Sequence, residues 1–161
     1  MPVTEVRKDP AALTMTLHCE YDHPVDTVWT LWSDPRKLEK WWGPPTYPAT
    51  FAHLDLVPGG EAKYYMTAPE GTRYWGMWRI VRVDAPNGFE ALDLFCDGDG
   101  NPDTTKPTSS MVVSLHERAG GGTVMQLRST FPSLEAMEQL VAMGMEEGIT
   151  LALGQADALL M

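Results

Sequence analysis

From Leu13 to Glu20 apolar and polar residues alternate, with Leu13, Met15, Leu17 and Cys19 on one parity and Thr14, Thr16, His18 and Glu20 on the other. A period of two predicts a strand with one face in a core. His23-Pro24 ends it, and Val28, Trp29 and Trp32 then share one side of a helix over Val25 to Trp32, with Asp26 in its first turn. Ser33 and Asp34 are capping types and Pro35 suits a first helical position, so a second short helix is expected over about 35–40.

Turn residues at Gly43-Pro44-Pro45, Pro58-Gly59-Gly60, Pro69-Glu70-Gly71 and Pro86-Asn87-Gly88 divide the next stretch into strands. They cover 47–57, then the alternation of Ala62, Tyr64 and Met66, then 73–83 with Gly76 read as a bulge, then 89–96. A polar loop over 97–107 precedes a hairpin whose arms carry Met111, Val113 and Leu115, and Met125, Leu127 and Phe131, across Gly120-Gly121-Gly122. From Ser133 to about Leu160 there is no proline, and Leu134, Met137, Val141, Gly144, Met145, Gly148, Leu151, Ala152, Gln155 and Leu159 recur at three- and four-residue steps. This stripe predicts one long amphipathic helix.

One strand, two short helices, six strands and a long helix predict an α+β domain with helices on one face of an antiparallel sheet. A single domain is expected over 1–161, with 1–11 as an N-terminal extension. Hydrophobic residues make up 43% and charged residues 21% of the 161, a globular balance. The formal charge of −10 argues against nucleic acid and anionic membrane surfaces as partners. The first 13 residues lack the apolar core of a secretory signal, no long apolar run follows, and two cysteines make no disulfide framework. A reduced cytoplasmic protein is therefore the expectation.

Five motifs carry a resemblance: Val25-Asp-Thr-Val-Trp29, Ser33-Asp-Pro35, Trp41-Trp-Gly-Pro44, Asp55-Leu-Val-Pro-Gly-Gly60 and Gly144-Met-Glu-Glu-Gly148. In this order they resemble the activator-of-heat-shock-ATPase-like branch of the SRPBCC (START-like, Bet v 1-like) superfamily. The resemblance implies a helix-grip fold, in which a seven-stranded curved antiparallel sheet wraps the C-terminal helix and leaves a cavity. It also implies hydrophobic ligands, with cyclases, toxin-resistance proteins and co-chaperones among the members. Val57 stands where the family usually has arginine, and Ile149 where it commonly has tryptophan.

The candidate cavity lining comprises Trp41, Trp42, Tyr64, Met66, Trp78, Met111, Val113, Met145, Gly148, Ile149 and Ala152. Indoles offer flat apolar contacts and thioethers adapt to irregular shapes, although ordinary core packing uses the same residues. Gly144, Gly148 and Ala152, four apart, either let the last helix lie close on the sheet or leave room for a ligand. Asp97 to Asp103 begins like a calcium loop but has Pro102 and Thr108 where glycine and glutamate belong, so no metal site is expected. The histidines lack ligand spacing, and Asp93, inside an apolar strand, is expected to point outward.

The leading functional expectation is a module that binds a small hydrophobic or aromatic molecule without a cofactor; a homodimer is compatible with it. No catalytic residue is assigned. An enzyme of cyclase, dehydratase or hydrolase type, with Tyr64 or His53 donating a proton, would require an ionisable side chain with a displaced pKa inside the cavity. A co-chaperone-like interaction is the third alternative.

Overall fold

The computed structural model describes residues 3–160. Its strands are β1 (Val3–Asp9), β2 (Thr14–Tyr21), β3 (Ala49–Leu54), β4 (Glu61–Thr67), β5 (Arg73–Asp84), β6 (Gly88–Phe95), β7 (Ser109–Glu117) and β8 (Thr123–Thr130). The helices are α1 (Val25–Ser33), α2 (Pro35–Trp41), α3 (Leu134–Ala142) and α4 (Met145–Ala156), followed by a 3-10 turn over Asp157–Leu160. All eight strands form one antiparallel sheet in the order β1-β2-β8-β7-β6-β5-β4-β3. The helices cover its concave face, which is the helix-grip arrangement.

Alternation fixes which side chains enter the core. Along β2, Met15, Leu17, Cys19 and Tyr21 are buried, and Met111, Val113 and Leu115 of β7 and Met125 and Leu127 of β8 are buried beside them. Helix α1 buries Val28, Trp29, Leu31 and Trp32. Asp34 starts α2 by accepting the Arg36 backbone N–H at 2.9 Å, with Pro35 in the first turn. The Trp41 indole N–H donates to the Leu31 carbonyl at 2.9 Å and locks the two helices together.

Three features differ from expectation. The sheet has eight strands rather than seven, because residues 3–9 of the expected extension pair with β2 as an edge strand. Val3 and Val6 pack against the core there, and Lys8 pairs with Glu146 of α4 at 2.6 Å.

The expected long terminal helix is two helices. Gly144 adopts φ +88°, and its N–H donates to Val141 three residues back rather than four. Left-handed backbone ends a helical ladder and suits glycine, so Gly144 is the stop between α3 and α4, not part of a continuous stripe. Leu134 and Leu151, placed by the stripe in the core, are exposed.

Gly76 is not a bulge: it pairs directly with Tyr64, and the irregularity of β5 lies between Ile80 and Arg82. A Cβ at Gly76 would come within 2.5 Å of the Tyr64 ring, so the glycine is the seat on which that ring lies. With Gly76 in register, Trp78 faces the core and is fully buried, while Trp75 takes the other face.

Candidate functional site

A cavity of about 250 Å³ lies between the concave sheet and α4. Its floor is Met15 and Leu17 of β2, Leu127 and Ser129 of β8, Met111 of β7, Asp93 of β6, and Tyr64 and Met66 of β4. Trp42 and Pro44 form one wall, and Met145, Gly148 and Ile149 of α4 form the roof. The roof is held in place by Gln155, whose side-chain amide donates to the Gly43 carbonyl at 2.6 Å, beside Trp42.

Of the candidate residues, Trp42, Tyr64, Met66, Met111, Met145, Gly148 and Ile149 line this space. Trp41, Trp78, Val113 and Ala152 do not: they are buried in solid packing behind it. Trp41 and Trp78 belong to an aromatic cluster around Trp32, whose ring centre is 4.8 Å from Trp41 and 6.1 Å from Trp78. Edge-to-face contact with Trp41 and tilted contact with Trp78 anchor the helix pair to the sheet and leave no indole face for a ligand.

At Gly148 an added Cβ would meet no atom within 4 Å, so the absent side chain leaves room rather than permitting close helix contact. Ala152, one turn on, is the position where α4 is fully packed.

Asp93 corrects the expectation of an outward carboxylate. Phe89 and Ala91, on its own parity, are buried, and the strand carries Asp93 into the cavity with them. No salt bridge compensates it among the described residues. Burial in apolar surroundings disfavours the charged form and pushes its pKa from 3.8 up to about 7, partly opposed by the Tyr64 hydroxyl, which favours the carboxylate. Burial and the nearby Asp93 charge together push the Tyr64 phenol well above 10.

The indole N–H groups of Trp42 and Trp78 are buried without a hydrogen-bond partner among the described residues, and both lie near enough to the Tyr64 oxygen to oppose part of the rise in its pKa. His53 is elsewhere, its Nε2 3.0 Å from Glu61 on the exposed surface, and supplies nothing to the cavity. Among the described residues no group of three His, Cys, Asp or Glu side chains could hold a metal ion. No helix there is long and apolar enough to cross a membrane.

Another hollow, about 290 Å³, crosses the outer face of the sheet and is lined by polar and charged side chains, including Glu5, Arg7, His18 and Arg128. Apolar surface is what a hydrophobic ligand requires, and it is concentrated in the inner cavity.

An antiparallel sheet gripping a terminal helix over an apolar cavity defines a START-like protein. The chain belongs to the family of activator of Hsp90 ATPase homolog 1-like proteins, whose profile matches residues 22–161. It is similar to the crystal structure of protein Ms6760 from Mycobacterium smegmatis, at 46% identity and a TM-score of 0.91 over 99% of this chain and 98% of that one. A solution structure from Arthrobacter aurescens is 44% identical, with a TM-score of 0.93 over 98% and 91%. CalU16 from Micromonospora echinospora is more distant, at 25% identity and a TM-score of 0.60 over 94% and 81%. The comparison with curated proteins gives no match.

Proposed function

We propose that the cavity between the sheet and α4 binds a small hydrophobic or aromatic molecule. The observation that carries this reading is the open space beneath Gly148, in a core otherwise closed by fully buried aromatic and aliphatic side chains. Natural cores leave few voids of this size, because unfilled space forfeits dispersion contacts. Met66, Met111 and Met145 supply pliable walls, and Tyr64, Ser129 and Asp93 the few polar groups that orient a ligand.

Thermal shift against a panel of apolar and aromatic compounds tests the proposal, with Ile149→Trp as control, since the larger side chain fills the roof. Compounds that raise the wild-type Tm should lose that effect in the variant. Equal shifts in both proteins would place binding outside the cavity and end the proposal.

A second reading, acid–base catalysis on the bound molecule, is favoured by Asp93 alone. A carboxyl whose pKa lies near neutrality exchanges protons efficiently with a substrate, and the Tyr64 hydroxyl beside it could relay one. Loss of turnover in Asp93→Asn with ligand affinity retained would establish this reading over simple binding.

A further inference from the structure

The cavity is not closed on all sides. A second hollow, about 220 Å³, opens where the chain breaks between α3 and α4, bordered by Leu140, Met143, Gly144, Phe95 and Ser109. Asp93 and Met145 border both spaces, so the carboxyl stands at the junction between the apolar interior and a notch leading to water.

We propose, building on the ligand-binding reading above, that the preferred ligand is a hydrophobic amine. Its protonated nitrogen rests on the Asp93 carboxylate at the junction, and its apolar body fills the cavity beneath Gly148 and Ile149.

Three observations converge on a cation. First, Asp93 is a carboxylate in need of a counter-ion: neither hollow is lined by any lysine, arginine or histidine. The groups packed around it are Trp78 of β5, Ser109 of β7, Tyr64 of β4, Met145 of α4, and Leu140 and Met143 at the end of α3, and of these only Tyr64 titrates. Glu146 of α4 is engaged by Lys8 on the other side of the helix.

Second, the Tyr64 hydroxyl favours the ionised form of the carboxyl, and the Trp42 and Tyr64 rings, 6.2 Å apart and nearly perpendicular, line the same cavity as Asp93. Aromatic faces attract an ammonium group, and a carboxylate forms charge-assisted hydrogen bonds with it. An anionic ligand would meet repulsion from Asp93 and no compensating donor cation. Third, the formal charge of −10 on the chain favours the approach of cations over anions. Placing the nitrogen at the water-facing junction also spares it full desolvation.

Calorimetric titration with naphthylmethylamine and its neutral counterpart naphthylmethanol tests the inference. At about pH 8, where the carboxyl is ionised and the amine protonated, the wild type should bind the amine at least about tenfold tighter than the alcohol. That preference should fade as pH drops below about 7 and Asp93 takes up a proton. Asp93→Asn, similar in shape, should abolish the preference while keeping the alcohol's affinity. Alcohol bound as tightly as amine by the wild type, or a preference surviving in Asp93→Asn, would overturn the inference and leave the cavity reading intact. Failure of both compounds to bind would remove the two together.

Discussion

Replacing Asp93 by asparagine should stabilise the unliganded protein, and by an amount that grows with pH. Asp93 has a folded pKa of about 7 against 3.8 in an exposed carboxyl. At about 1.36 kcal/mol per unit, this rise of roughly three units is a penalty of about 4 kcal/mol on the folded state once the group is ionised, an upper value because the notch admits water. The sign follows from the raised pKa: the folded state holds the proton more tightly, so the full stability is present below about pH 4 and is lost as pH climbs to about 7. Between about pH 5 and pH 8 the wild type should therefore lose roughly 2–3 kcal/mol at most that Asp93→Asn does not. Urea denaturation of both proteins at several pH values measures this, and other titrating groups cancel in the difference. A gap between the two proteins that stays constant from pH 5 to pH 8 would refute the placement of an uncompensated carboxylate in the cavity.

Two further substitutions probe the backbone that shapes the site. Gly144→Ala forces an L-residue into left-handed conformation and should cost about 1 kcal/mol, read as a lower urea midpoint; a higher midpoint would mean that α3 and α4 are one continuous helix. Gly76→Ala pushes a methyl group into the Tyr64 ring and should cost about 1–3 kcal/mol. Withdrawal of the phenol from Asp93 would raise that carboxyl's pKa further, visible by NMR titration, and an unchanged titration would show that Tyr64 does not support it.

The strand framework was legible because the side-chain period of two is short and local: Met15, Leu17 and Tyr64 fall on the buried face by counting alone. Asp93 is harder to place, although the same counting puts it with Phe89 and Ala91. The rule that charges face water points against parity there, and functional cavities are where that rule fails. Gly144 was hidden for another reason. A helix-stop glycine and a packing glycine look alike at four-residue spacing, and only the conformation tells them apart. Whether a tryptophan lines space, like Trp42, or fills it, like Trp78, depends on contacts between segments distant in sequence. The pairing of β1 was obscured by its weak alternation, with only Val3 and Val6 partly shielded.

Met145, Gly148 and Ile149 sit on adjacent turns of one helix, while the strands beneath them carry most of the buried framework. Recognition and stability are thereby assigned to different parts of the chain. Substitutions on that short arc could redraw the shape a guest must have without disturbing a single rung of the sheet, so relatives with the same scaffold are free to diverge in what they hold.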